Sequence, residues 1–233
     1  MNAARIGRGF IVLLLVVVAL FVAVQLWFFG HILYWASHNP TSTSFIDARV
    51  AALRLKNPKA KISQWWVGYR QISVHLKRAI ITAEDDKFID HEGFDWDGMQ
   101  RALKKNQQKG KVIAGGSTIS QQLAKNLFLS GERSWLRKAQ EALITAMLEL
   151  AMDKRRILEI YMNVVEWGEG VYGAEAAARH YFGVSAQGLN PEQAARLAAM
   201  LPRPRFYQRN PGSQYLAAYS ATIAARMPRA RVP

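Results

Sequence analysis

RSWLRKAQEALITAMLELAMDKRR, residues 133–156, settles the fold class, because it is apolar at helical spacing on two faces at once. Ala139, Ala142, Leu143, Ala146, Met147 and Leu150 form one stripe, expected to be the main core face. On the opposite side Arg137 and Glu141 line up with Ile144 and Leu148. Burying an arginine and a glutamate costs several kcal/mol unless they pair or serve a ligand. Two readings follow, an i,i+4 ion pair or one wall of a polar pocket.

The surrounding sequence is equally helical. Asp153 is placed to cap RRILEIYMNVV, and Asn190-Pro191-Glu192-Gln193 supplies a capping asparagine, a proline at the first helical position and a capping-box glutamine before AARLAAML. Gly168, Gly170 and Gly173 punctuate a loop before AEAAARHYF, and KKNQQKGK, residues 104–111, reads as a mobile loop. Few alternating runs occur, so the expected domain is mainly α.

Towards the N-terminus the composition changes. FIVLLLVVVALFVAVQLWFFG, residues 10–30, is 21 residues long, and no charged residue lies between Arg8 and Asp47. At about 1.5 Å per residue it spans roughly 31 Å, the thickness of a bilayer core. A cleaved signal peptide is the alternative, but the run exceeds a usual apolar region, and Tyr34 and Trp35 spoil a small-residue cleavage site near Ala36. With Arg5 and Arg8 before it, and Trp27, Tyr34 and Trp35 after it, the expected orientation puts the N-terminus in the cytoplasm. The expected organisation is a cytoplasmic stub at 1–9, an anchor at 10–30, an interfacial segment and polar connector at 31–48 (SHNPTSTSFIDA closing it), and a catalytic-sized domain at 49–233.

The 233-residue chain carries a net charge of +14, and residues 47–233 hold 29 basic against 17 acidic side chains, a balance of +12. A basic domain held at a membrane suits anionic lipid headgroups or a phosphate-bearing lipid substrate. No nucleic-acid-reading helix is recognisable, and nucleic acid is not expected as a partner. The absence of cysteine excludes thiolate nucleophiles, cysteine-ligated metals and disulfides.

Two further stretches carry chemistry. In AEDDKFIDHEGFD, residues 83–95, a helix capped by Ser73 would put Leu76, Ala79, Ile80 and Ala83 on one stripe, Glu84 at its edge and Asp85 nearly opposite. Partial desolvation and the negative end of the helix dipole both raise the pKa of Glu84, which makes it the better acid/base candidate. Pairing with Lys77, Arg78 or Lys87 is the plainer reading. His91 with Asp90, Asp95 and Asp97 could hold a metal or cap turns, but neither a calcium-loop nor an HExxH spacing is present. In GGSTISQQLAKN, residues 115–126, the glycines allow close approach and Ser117 or Thr118 can cap the next helix, whose N-terminus suits an oxyanion or phosphate. Gln121, Gln122 and Lys125 are spaced to converge on one ligand or to form a solvated polar face.

Taken with RKAQEALITAMLE, with KRRILEIYMNVVEWGEGVYGAEAAARHYFG and with AARLAAMLPRP, these two stretches resemble, in order, the signature motifs of the family 51 peptidoglycan glycosyltransferases over about residues 64–211. With no SxxK, and no lysine beyond Lys154, the chain resembles the monofunctional branch that lacks a penicillin-binding domain.

This resemblance implies a lysozyme-like helical domain that polymerises lipid II. The 4-hydroxyl of the acceptor attacks the anomeric carbon of the lipid-linked chain with inversion, and undecaprenyl pyrophosphate leaves. It implies Glu84 as general base, Glu141 as a second catalytic glutamate, and Lys125, Arg137 and Lys138 as pyrophosphate-holding residues. Ser117, Thr118, Gln121 and Gln122 would contact the donor, and Asp85, His91 and Asn126 complete the expected substrate-binding set. Further implications are a catalytic domain on the periplasmic side of the inner membrane, with membrane lipids and other cell-wall synthesis or division proteins as partners. Family members often work with a divalent cation such as Mg or Mn, but no ligand set stands out here. A glycan-cleaving enzyme of lysozyme type is the rival, although hydrolysis has little need of the Lys125, Arg137 and Lys138 cluster.

Overall fold

The computed structural model describes residues 3–111, 115–129, 131 and 134–233, with side chains from Arg8 onward. The basic flank at Arg5 therefore has no described side chain. Elements follow in the order α1 (Ala3–Ser37), α2 (Ser44–Lys56), β1 (Ser63–Gln64), α3 (Val74–Glu84), α4 (Trp96–Lys109), α5 (Ile119–Phe128), α6 (Trp135–Ala151), α7 (Lys154–Val164), β2 (Glu166–Gly168), β3 (Val171–Tyr172), α8 (Ala174–Phe182), α9 (Pro191–Met200), α10 (Pro204–Arg209) and α11 (Gln214–Arg226). The chain is mainly α, as expected.

Two compact units separate at His38. In the first, Arg8–Ser37 is a continuous helix long and apolar enough to cross a membrane, with Phe10 to Val24 presenting apolar side chains all round. The helix includes residues 10–30 and continues to Ser37. In the second unit, residues 39–233, a short stretch outside any helix or strand precedes α2. Thr43 accepts from Ile46 N at 3.1 Å and starts α2 at Ser44, with Asp47 in its first turn.

Sequence caps act where expected. Ser73 starts α3, Asp153 accepts from Arg156 N at 2.7 Å to start α7, and Asn190 and Gln193 close a capping box at α9. Around these ends the buried core is built from Leu76, Ile80, Phe88, Leu123, Leu127, Ile144, Leu148, Tyr161, Trp167 and Leu197. Helices α3, α9 and α11 pack as one group, and α5 joins α6 and α7 as another.

Three expectations change. Residues 104–109 of KKNQQKGK are the end of α4, not a mobile loop. Asp95 accepts from Gly98 N at 2.9 Å, lysine and glutamine are good helix formers, and Gly110 ends the helix at φ 62°. The glycine-rich loop at 168–173 is a hairpin, β2 antiparallel to β3, with β1 parallel on the other side of β3. Its strands are too short to show alternation in sequence.

The third correction concerns α6. The Arg137 side is the inner one, since Glu141, Ile144, Thr145 and Leu148 are buried, while Ala139, Leu143, Ala146 and Leu150 of the expected core stripe are exposed. Apolar content alone does not say which of two faces meets α5. Paired charges settled it, because the Glu141 carboxylate enters the interior with two cations attached.

Gly173 shows how tightly the hairpin is tied to α7. At φ 82° its backbone conformation is one that side chains avoid, and an added Cβ would lie 2.7 Å from Asn163 O. The buried Asn163 side chain in turn receives Val67 N and donates to Val67 O and Glu159 O. Gly173→Ala is expected to destabilise the domain by about 2–4 kcal/mol, read as a fall in urea midpoint with unchanged slope.

Candidate active site

Helix α3 ends at Glu84, so its carboxylate meets the unpaired carbonyls of the last turn. The chain then turns away, and neighbouring carboxylates part. Glu84 is half-buried and accepts a hydrogen bond from Gln122 Nε2 at 2.7 Å. Asp85 is buried and spans two elements, accepting from His91 Nε2 at 2.9 Å and from Ile119 N at 3.0 Å. Desolvation pushes the Glu84 pKa above the ordinary glutamate value, the Gln122 hydrogen bond and Lys125 pull against it, and Asp85 adds to the rise. The separation of environments expected from helical phasing is present.

Helix α5 is set by its N-terminus. Thr118 Oγ1 accepts from Gln121 N and donates to Gly93 O at 2.7 Å, while Gln121 Oε1 accepts from Thr118 N at 3.0 Å. Gly116 lies against α4, where an added Cβ would stand 3.2 Å from the Met99 Cα. The buried Gln121 thus closes a capping box and does not join Gln122 and Lys125. One turn on, those two side chains do share a cleft.

His91 is likewise committed. Gly93 N donates to Nδ1 at 3.1 Å, which leaves Nε2 to carry the hydrogen given to Asp85. Asp95 caps α4, Asp97 pairs with Lys87, and Asp90 pairs with Arg231. Among the described residues no three His, Asp or Glu side chains are gathered for a metal.

Two clefts flank Glu84 and Gln122. The first, about 160 Å³, is lined by Thr82, Glu84, Asp85, Asp95, Ser117 and Thr118. The second, about 430 Å³, includes Gln122, Lys125, Asn126, Arg137, Glu166 and Pro202 in its lining. The 2.7 Å bond between Glu84 and Gln122 joins one lining to the other.

Charge is unequally divided between them. Arg137 Nη1 lies 2.7 Å from Glu141, Lys138 Nζ also contacts Glu141 and reaches Ser117 Oγ at 3.4 Å, and the Arg137 Nε is buried without a partner among the described residues. Both readings of residues 133–156 therefore hold together, since the ion pair is formed and its arginine lines a pocket. Lys125 makes no ion pair among the described residues. Burial lowers its pKa, Glu141 acts against that, and Arg137 and Lys138 lower it further. Three cations face one carboxylate.

The family model described as Transglycosylase matches residues 52–228. The chain belongs to this family. It is 61% identical over 233 residues, all of both chains, to the biosynthetic peptidoglycan transglycosylase of Aromatoleum aromaticum. The protein of that name from Dechloromonas aromatica is 58% identical over 228 residues, covering 98% of this chain and 99% of its own, and that from Azoarcus sp. is 59% identical over 220 residues, covering 94% and 95%.

Several residues around this candidate site were not singled out from sequence. Tyr161 donates to Gln122 Oε1 at 3.0 Å, and Tyr219 donates to Ala83 O at 3.2 Å. Glu166, buried beside the second cleft, pairs with Arg205 at 2.6 Å and Arg49 at 3.6 Å. Glu149 ties Ser120 to Lys154. Only the capping asymmetry around Asp153 hinted at such placement, by fixing the phase of α7.

The Asp85 network has a measurable consequence. Asp85→Ala strands the buried Ile119 N–H and frees His91, so a loss of about 2–3 kcal/mol is expected by chemical denaturation. Lys125→Ala, which breaks no ion pair, is expected to stay within about 0.5 kcal/mol of the parent.

Proposed function

We propose that the chain is a peptidoglycan glycan-chain polymerase that transfers a lipid-linked glycan to the 4-hydroxyl of lipid II, releasing undecaprenyl pyrophosphate. The observation that carries this reading is the pairing of a half-buried carboxylate of raised pKa with an adjacent cleft lined by Lys125 and Arg137, the arginine held by Glu141, which Lys138 also contacts. Glycan cleavage of lysozyme type would use the carboxylate but not the cations.

In this reading the acceptor sugar reaches Glu84 in the cleft that Asp85 also lines, next to the donor contacts Ser117 and Thr118. Its 4-hydroxyl gives its proton to Glu84 as the oxygen attacks the anomeric carbon from the face opposite the departing phosphate. The α-linked donor thereby becomes a β-1,4 glycan. On the other side Lys125 and Arg137, with Lys138 nearby, meet the pyrophosphate as it gains negative charge. Fixed cations already desolvated stabilise that charge more in the transition state than in the ground state. Gln122 links the two events, touching the base while lining the leaving-group cleft. Glu141 holds Arg137 and Lys138 in place and moderates their charge. Asn126, in the same lining, is a further donor contact. Thr118, Gln121, Asp85 and His91 act mainly by fixing α5 and the turn after Glu84.

The rest of the chain suits a lipid substrate. The apolar helix Arg8–Ser37 is read as a single inner-membrane anchor, N-terminus in the cytoplasm and domain in the periplasm. We assign the stub to residues 1–9, the anchor to 10–30, the interfacial segment and connector to 31–48, and the glycosyltransferase domain to 49–233. Exposed Trp96 and Leu103 on α4, and Trp135, Leu136, Leu143 and Leu150 on α6, give apolar surface for membrane lipids. Other cell-wall synthesis or division proteins would be met at the same membrane.

Purified protein given lipid II in detergent should form glycan polymer, and Glu84→Gln should lose about 100- to 10,000-fold in rate. Lys125→Ala should lose about 100-fold or more without parallel loss of stability. Polymer formation undiminished in Glu84→Gln would overturn the assignment, and cleavage of preformed glycan without polymer would favour the hydrolase. The sign of the Glu84 shift gives a further test. A carboxylate whose folded pKa is raised binds its proton more tightly when folded, so stability falls as pH rises from the unfolded through the folded pKa. Glu84→Gln should therefore gain stability over the parent at pH 7 relative to pH 4, seen by comparing Tm at both.

A further inference from the structure

Three side chains from three helices form a line into the site. Tyr161 on α7 is fully buried and lies 3.0 Å from Gln122 Oε1, and Gln122 Nε2 lies 2.7 Å from Glu84 Oε2. An amide has one accepting end and one donating end, and an ionised carboxylate only accepts. If the amide of Gln122 turned over, its oxygen would face the Glu84 carboxylate at hydrogen-bond distance, and two acceptors would repel. Something must hold the amide the right way round in a cleft that also takes substrate.

We infer that Tyr161 is a positioning residue for glycosyl transfer: by donating its hydroxyl hydrogen to Gln122 Oε1 it keeps the Gln122 amide donating to Glu84. The inference rests on the reading of Glu84 as the base. Tyr161 lines neither of these two clefts itself and acts through Gln122. Burial, then the nearby Glu84 and Asp85, push the Tyr161 pKa well above the ordinary tyrosine value, so the hydroxyl keeps its proton across the working pH range. Its backbone is secured independently, within a helix started by Asp153 and tied down by Asn163.

The effect falls on the base. The Gln122 hydrogen bond is the largest influence opposing the desolvation that raises the Glu84 pKa. Other groups facing this carboxylate are Lys125 from α5, Asp85 next in sequence, Tyr161 from α7 and Tyr219 from α11. Of these, Lys125 acts with Gln122 and Asp85 acts against it, while the two phenols carry no charge as long as they keep their protons. A loosened amide therefore leaves Glu84 easier to protonate, and the acidic limb of the pH–rate profile moves up.

Tyr161→Phe keeps the ring and removes only the hydroxyl. With lipid II as substrate, the full-length variant is expected to show the acidic limb of kcat raised by about half to one pH unit, with the basic limb unmoved. In a Gln122→Ala background the same change should not move the limb further. A purely structural tyrosine would lower kcat at every pH without moving the limb, and that result would overturn the inference, as would an equal shift with and without Gln122. Should Tyr161→Phe fold poorly, 3-fluorotyrosine at 161 retains the shape with a stronger donor, and the limb should move down; an unmoved limb there would also overturn it. Glu84→Gln run alongside separates the failures. Full activity in Glu84→Gln defeats the base reading, whereas an inactive Glu84→Gln with an unmoved limb in Tyr161→Phe defeats only the role of Tyr161.

Discussion

A half-desolvated carboxylate at a helix end is an unfavourable object, and the domain is organised around keeping Glu84 in that state. Its own helix offers it carbonyls, its neighbour Asp85 is another acid, and water is partly withdrawn. Against these stand one amide hydrogen bond, from Gln122, and the field of Lys125. Everything that fixes α5 therefore matters to the base. Asp85 receives the amide of Ile119, Thr118 caps the helix and reaches Gly93, and Tyr161 backs Gln122 from the far side.

The same constraint explains the use of the two adjacent acids. Asp85 spends both carboxylate oxygens on structure, which offsets the desolvation of its burial, while Glu84 keeps one oxygen uncommitted to any described donor. On the leaving-group side the arrangement is reversed. There Glu141 is buried under two cations, and Lys125 is left without a carboxylate of its own. One side of the Gln122 amide is prepared to accept a proton and the other to meet an anion. The basic C-terminal region supports the first side, because Tyr219 donates to Ala83 O and Arg226 pairs with Asp86.

Much of this was legible in the sequence where a single residue type dictates local geometry. Caps at Ser73, Thr118, Asp153 and Asn190 fixed helix phases, and the phase of α3 separated Glu84 from Asp85 before any contact was known. What stayed hidden depends on partners far along the chain. The facing of α6 could not be read because both its sides are apolar, and only α5 decides between them. Gln121 and Gln122 look alike in sequence, yet the first is consumed by its own cap and the second meets a tyrosine 39 positions away. The end of α4, residues 104–109, reads as a loop because its lysines and glutamines resemble one when the capping role of Asp95 is overlooked.

The central claim is that Glu84 has a raised pKa restrained by a donor and a cation on α5. The direct measurement is a titration of the Glu84 carboxyl carbon by ¹³C NMR in detergent-solubilised protein, assigned by its loss in Glu84→Gln and repeated in Lys125→Met. A midpoint above the ordinary glutamate value of about 4.3, rising further in Lys125→Met, is the predicted result. A midpoint at or below that value, unmoved by Lys125→Met, would contradict the account.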